Sequence, residues 1–227
     1  MSKGPGVEKM FDAIADRYDL MNRVMTFGQD RHWREFVVDR GGKIGPGWVL
    51  DLACGTGEIA AQFQRSNPEA RVVGADFSRN MLARASADLS AADIRFQACD
   101  ANQLPYRDGV FQAVSFGYLL RNVDDSLTVL REVYRVLSIG GRVICLDTTP
   151  PARNLLYPFI RIYLAVVIPL LGRLIARDQS AYAYLTGSTM DFHDAESLAG
   201  LFREAGFSEV SFKKFMFGTI AVHWGRK

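Results

Sequence analysis

The sequence predicts an α/β fold, a parallel sheet with helices packed on both faces. Three observations carry this. Short apolar runs alternate with amphipathic runs of helical length from Trp48 to Asp147. A glycine turn, CGTG, sits at the first strand–helix junction. The first three strand runs place aspartates at or near their carboxyl ends, Asp51, Asp76 and Asp100. Strand–helix repetition at this spacing makes βαβ units, whose crossover helices cover a parallel sheet.

Element by element, VEKMFDAIADRYDLMNRVMTFGQDRHWREFVVDR has apolar residues at Met10, Ile14, Met21, Met25, Trp33, Phe36 and Val37, the spacing of amphipathic helices interrupted near Gly28. GGKIGPG is a loop. WVLDLA (48–53) is a buried strand, GEIAAQFQRS a helix, RVVGAD (71–76) a second strand. SRNMLARASADLS is a helix with Ser78 as N-cap. IRFQACD (94–100) and VFQAVSFG (110–117) are the third and fourth strands. DDSLTVLREVYRVL is a helix closed by Gly140 and Gly141, and GRVICLD (141–147) the fifth strand. DAESLAGLFREAGF is a helix ending at Gly206, and VSFKKFMF and TIAVHWG form a closing hairpin about Gly218.

Composition narrows the function. The chain has 227 residues, 48% of them apolar, which suffices for one large α/β domain. A net charge of +2 and no basic stripe argue against a nucleic-acid partner. Cys54, Cys99 and Cys145 show no CxxC spacing, so neither a zinc site nor a disulfide framework is expected. MSKGPGVEK lacks the apolar region of a signal peptide, and the expected location is cytoplasmic.

VLDLACGTGEIA carries the chemistry. Gly55 and Gly57 let the backbone approach a ligand, and Ala60 stands where a dinucleotide fingerprint accepts Gly or Ala. Asp51, inside the strand, can reach a cationic amino group or organise the loop. Asp76, 21 residues after Gly55, is placed to accept from both ribose hydroxyls. In ACDANQLPY, Asp100 can accept from the exocyclic amine of adenine, and the Ala101 N–H can donate to a ring nitrogen. These features together describe a site for S-adenosylmethionine; the glycine turn alone equally fits a nicotinamide enzyme.

The segments MFDAIADRYDLMNRVMTFGQDRHWR, VLDLACGTGEIA, ACDANQLPY, LLRNVDD, YRVLSIGGRV, YAYLTGS and FREAGF, in that order, resemble the ubiquinone/menaquinone biosynthesis C-methyltransferase family. That family is a branch of the class I S-adenosylmethionine-dependent methyltransferases. The resemblance runs from about Val7 to Trp224. It implies a Rossmann-like, seven-stranded, mostly parallel sheet with its last strand antiparallel. It also implies methyl transfer to a ring carbon of a polyprenylated quinol, demethylmenaquinol or a ubiquinone precursor. Thr56, Asp76, Asp100 and Ala101 are the cofactor contacts it implies. The sequence departs from the family pattern at three places. DLACGTGE stands for the usual DLAGGTGD. GYLLRNV puts Gly117 where a small or hydroxyl residue usually precedes Phe, leaving a backbone contact to the cofactor. LDTTPP stands for a segment much like LEFSKP near the acceptor, so a soluble phenolic or natural-product acceptor is the alternative.

Methylating carbon needs an electron-rich ring, hence a base, or a cation that stabilises a phenolate. The candidates are Arg121 in LLRNV, Tyr184 in YAYL and His193 in MDFHDAES, with Asn122 and Tyr182 beside them. His32 and His223 read as structural. Tyr18 and Trp33 could belong to an N-terminal helical lid, residues 7–40 of a single domain spanning 1–227. The stretch LLYPFIRIYLAVVIPLLG lies in an insertion over 148–191. Pro158, Arg161 and Pro169 are expected to split it into short helical pieces, too short to span a bilayer. It would wall the acceptor site. Contact with a membrane face, or with a second copy in a homodimer, is the further expectation there.

Overall fold

The computed structural model describes Met10, residues 17–176 and residues 178–227. Two helices come first, α1 (Tyr18–Met25) and α2 (Asp30–Gly41). Five strands with three helices among them follow: β1 (Trp48–Leu52), α3 (Glu58–Ser66), β2 (Arg71–Asp76), α4 (Arg79–Asp88), β3 (Ile94–Ala98), β4 (Phe111–Gly117), α5 (Ser126–Val136) and β5 (Leu137–Thr148). Ser78 caps α4 by accepting from the Met81 N–H, as its sequence position predicts. The chain closes with α9 (Ala195–Glu204), β6 (Ser208–Phe215) and β7 (Ile220–Arg226).

The strands form one seven-stranded sheet in the order β3-β2-β1-β4-β5-β7-β6. β7 runs antiparallel to β5 and to β6, and the other pairings are parallel. Strand alternation sorts the core into two layers. Leu50, Val73, Val114 and Val143 face a cluster with Val129, Val133 and Phe202 of α5 and α9. Val49, Val72, Ala113 and Ile144 face Trp33 and Val37 of α2 and Phe63 of α3. Edge strand β6 carries Glu209, Lys213 and Lys214, charges that discourage further strand pairing. The strand order reverses between β1 and β4, and in open α/β sheets the crevice beyond the carboxyl ends at such a point binds ligands.

Two sequence expectations are corrected. α5 ends at Val136, not at Gly140, because Leu137 is already extended (ψ 139°) and begins β5. Gly140 and Gly141 instead sit in a bulge: the β4–β5 register jumps from Phe111↔Leu137 to Ala113↔Arg142. Gly140 has φ +77°, and a Cβ at Gly141 would lie 2.8 Å from the Ser138 carbonyl.

Nor do the prolines split the insertion. An unbroken helical path runs through α6 (Tyr157–Ile162), a π turn (Tyr163–Val167), α7 (Ile168–Leu171) and a second π turn (Gly172–Ala176). Pro158 lies in the first turn, where its missing N–H costs nothing. Before Pro169 the bonding widens, the Ile168 N–H reaching back to the Tyr163 carbonyl, so the ring does not meet an ordinary α turn. The result, Tyr157–Ile175, is 19 residues, by length and composition enough to cross a membrane, and only 17% of its most apolar window is buried. α8 (Gln179–Met190) follows, capped by Asp178, and packs on the insertion through Tyr182 and Leu185 together with Met21 of α1.

Candidate active site at the carboxyl edge of the sheet

Beyond β1 the backbone coils tightly: Ala53, Gly55 and Gly57 all have positive φ (52°, 54° and 82°). Ala53 is a non-glycine residue in the left-handed region, a strain that accumulates at functional loops. A Cβ at Gly57 would come within 2.8 Å of Leu89, whereas one at Gly55 would meet nothing within 4 Å. Gly57 therefore serves close packing, and Gly55 leaves room for a ligand.

Asp51 and Ser115 are register partners on β1 and β4. The Ser115 hydroxyl donates to Asp51 Oδ1 at 2.8 Å, and the Ala60 N–H donates to Oδ2 at 3.0 Å. Both oxygens are thus engaged, one by β4 and one by the first turn of α3. Burial pushes the Asp51 carboxyl up to about 7, against the lowering by these two bonds. Asp76 closes the loop from β2: its Oδ2 accepts from the Gly55 N–H at 2.7 Å and its Oδ1 from the Ser78 N–H at 2.9 Å. Thr56, within the turn, is buried. Asp100 uses Oδ1 for the Asn102 backbone and side-chain N–H groups, both at 2.8 Å, and leaves Oδ2 for an outside donor, with buried Ala101 beside it. Phe77 was not singled out by sequence. It follows Asp76 with 49% exposure and offers a flat apolar face at the same edge. Cys54 and Cys99 flank Asp76, but burial raises both thiols, Cys99 to about 12, so neither is a ready nucleophile.

These residues fit a nucleoside-bearing cationic cofactor. A glycine turn open at Gly55, an acid at the end of β2, an exposed aromatic and an acid with a free oxygen line one edge. Gly117 is half-buried at the end of β4, with its would-be Cβ 3.4 Å from Ile59. The Tyr18 side chain lies outside the described residues, as do residues 7–9 and 11–16 of the expected lid. Trp33 is fully buried against the sheet face.

Beside this edge lies a cavity of about 330 Å³. Ile160, Leu164 and Ile168 of the insertion form its roof, and Met25 of α1 and Tyr118 after β4 form walls. Among the described residues that line it, Arg121 carries the one charge. Its Nη1 donates to Thr189 Oγ1 at 3.2 Å, to Thr148 Oγ1 at 3.4 Å and to the Leu185 carbonyl at 3.5 Å. Its Nε stands 3.7 Å from Asp147 Oδ1. Asp147 is 1% exposed and accepts from the Leu120 N–H at 3.1 Å and the Thr148 N–H at 2.8 Å. Burial raises its carboxyl to about 6, with Arg121 pulling the other way. Sequence reasoning missed Asp147, although it ends the fifth strand as Asp76 ends the second, and that signal was available.

Tyr184 and His193 lie elsewhere, in a polar hollow of about 580 Å³ that shares Arg121 as a wall and also holds Asp124 and Asp191. The Tyr184 hydroxyl donates to Asn122 Oδ1 at 3.3 Å, and Asn122 Nδ2 donates to the Tyr118 carbonyl at 2.7 Å. Burial raises the Tyr184 phenol. His193 is exposed. Tyr182 is fully buried, with Gly172 packed on its ring. His223 is also buried, its Nε2 2.8 Å from the Ala195 carbonyl, and burial lowers its pKa to about 4. Among the described residues no cluster of His, Cys, Asp and Glu is arranged to hold a metal.

The model of the ubiE/COQ5 methyltransferase family matches residues 1–227. The ubiquinone/menaquinone biosynthesis C-methyltransferase UbiE of Desulfotalea psychrophila is 65% identical over 227 residues, covering 100% of this chain and 92% of that protein. The demethylmenaquinone methyltransferase of Thermus thermophilus is 42% identical over 218 residues, covering 95% and 99%. Among solved structures, the [4+2]-cyclase SpnF superposes with a TM-score of 0.71 at 17% identity, covering 97% of this chain and 94% of its own, a likeness of fold alone.

Proposed function

The chain belongs to the ubiE/COQ5 methyltransferase family, and on that premise we propose that it methylates a ring carbon of a polyprenylated quinol, demethylmenaquinol or a ubiquinone precursor. S-adenosylmethionine-dependent C-methylation in quinone biosynthesis is what the family and its relatives establish. The observation that supports the quinol reading is Arg121, a buried guanidinium that is the one charge among the described residues lining a largely apolar cavity at the carboxyl ends of β4 and β5.

When bound, S-adenosylmethionine supplies a methyl group activated by its sulfonium. Asp76 and Phe77 would hold the ribose and adenine, with Asp100 and Ala101 at the base edge and Thr56 and Gly117 along the turn. Asp51 acts on the cofactor through the loop it organises. The chain's chemical contribution is electrostatic. Arg121 stabilises a ring hydroxyl in its deprotonated form, which raises electron density on the ring carbon. Desolvation by the apolar walls strengthens that attraction. The carbon's own proton leaves after transfer. The polar hollow behind Arg121, with Tyr184 and His193, gives it a route to water. α1 and the insertion cover the cavity, and the Tyr163 hydroxyl donates to the Met25 carbonyl at 2.7 Å, tying the two together. We place the enzyme in the cytoplasm with peripheral contact at a membrane, where a tailed acceptor resides. A homodimer through the insertion is the competing use of that surface.

Mass spectrometry of lipid extracts incubated with the enzyme and methyl-labelled S-adenosylmethionine tests the assignment. Label is expected on a quinone ring. An unlabelled quinone pool with label on a soluble phenol would assign the alternative acceptor instead.

A further inference from the structure

The insertion helix alternates α and π turns, and this has a geometric consequence. An α turn holds 3.6 residues and a π turn about 4.4, so the alternation averages about four. Side chains four apart then stack in straight rows along the helix, where an ordinary α-helix would drift about 40° per step. The sequence sorts onto four such rows by chemistry. Ile160, Leu164, Ile168 and Gly172 make the inward row: the first three roof the cavity, and Gly172 lies against Tyr182. Diametrically opposite run Ile162, Val166, Leu170 and Leu174, exposed by 58%, 57%, 43% and 65%. Arg161, Ala165, Pro169 and Arg173 form the row along one side, and both arginines are exposed. Phe159, Tyr163, Val167, Leu171 and Ile175 form the other.

An outward row of four large apolar side chains bordered by cations has the pattern of a helix lying at a lipid–water interface. Charge favours an anionic surface. Between Asp147 and Asp178 the sequence holds Arg153, Arg161, Arg173 and Arg177 and no acidic residue. The rim of the cavity includes Phe159 of the same helix. Phe27, Phe159 and Phe217 line the cavity, yet are 74%, 69% and 73% exposed, so they form its rim. Ile168, Pro169 and Gly172 are buried against the rest of the chain, so the helix presents one face, and not its whole circumference, to its surroundings.

Resting on the quinol reading above, we infer that the Ile162–Leu174 row docks in the plane of an anionic bilayer, with Arg161 and Arg173 at the phosphates. The Phe27–Phe159–Phe217 rim then admits the acceptor from the acyl layer. The rim aromatics reach apolar tails, and a quinol enters without crossing water.

The full chain is sedimented with phosphatidylcholine vesicles, with and without phosphatidylglycerol, beside an Ile162→Glu/Val166→Glu variant and an Ile139→Glu control, Ile139 being 95% exposed near the start of β5, away from the insertion. Wild type and control are expected to bind the anionic vesicles, more weakly at high salt. The double variant should bind at least about ten-fold less, with unchanged melting and unchanged methylation of a short-tailed quinol in solution. Equal binding by the double variant overturns the proposal. So does resistance of bound wild type to alkaline extraction. So does a wild-type dimer that the double variant dissociates without any vesicle binding. A failure here that leaves short-tailed quinol methylation intact spares the functional reading. Vesicle binding without methylation of any quinol sinks that reading and leaves the docking surface standing.

Discussion

Replacing Arg121 with methionine separates its two roles. The substitution leaves Asp147 at 1% exposure without the cation 3.7 Å away. Even with Arg121 present, burial lifts the Asp147 carboxyl from 3.8 to about 6, a shift of roughly two units or about 3 kcal/mol. Removing one partner of a buried ion pair typically costs about 3–5 kcal/mol, and the upper part of that range is expected here because the Leu185 carbonyl and Thr189 hydroxyl also lose their donor. Folding then favours protonated Asp147 still more, so the variant's stability should be fullest below pH 3.8 and be lost as pH rises through and above 6. An Arg121→Met/Asp147→Leu double variant removes both charges and should recover most of the stability. Catalysis should not recover. Loss of the phenolate-stabilising cation is expected to lower kcat by about 10²–10³-fold in both variants. The assays are denaturant unfolding across pH and ring-methyl formation under conditions where every variant is folded. A double variant that regains wild-type kcat would refute the catalytic role and leave Arg121 a structural ion-pair partner.

Three further outcomes follow from burial. Folding raises the Asp51 pKa from 3.8 to about 7, so its contribution is full below 3.8 and lost as pH climbs through 7. Asp51→Asn should therefore gain on wild type between pH 5 and 8, by at most about 4 kcal/mol, read from melting curves. Folding lowers the His223 pKa from 6.5 to about 4, so wild type should lose up to about 3 kcal/mol as pH falls from 6.5 to 4; His223→Gln, which keeps a donor for the Ala195 carbonyl, should flatten that slope. Gly172→Ala puts a methyl 2.5 Å from the Tyr182 ring and should destabilise by about 1–3 kcal/mol, with faster hydrogen exchange confined to the insertion and α8.

The sheet was legible because its signals are local. Val49/Leu50 and Val72/Val73 alternate between two cores, and Ser78 caps the helix it begins. The convergence of Gly55, Asp76 and Asp100 on one edge was legible for the same reason, since each is set by a strand end. Gly140 misled because a glycine with positive φ serves a helix end and a strand bulge equally, and only the register with β4 decides. The π turns were not legible from Pro169, which marks a helix break and a widened turn equally. The packing of Gly172 on Tyr182 is made only once the insertion is in place. Arg121 was visible as a candidate, but its partners Asp147, Leu185 and Thr189 are 26, 64 and 68 residues away, and their convergence is a property of the fold.

Under the proposed reading, the bond from the Gly55 N–H to Asp76 gives one carboxylate two duties, latch and docking post. Before any sugar arrives, Asp76 already fixes the turn, so the loop's ordering is not charged to binding. The two duties cannot be separated by mutating the acid, because Asp76→Ala releases Gly55 at the same stroke and confounds recognition with loop collapse. Only changes on the ligand's side, such as analogues lacking one ribose hydroxyl, read the docking post while the latch stays shut.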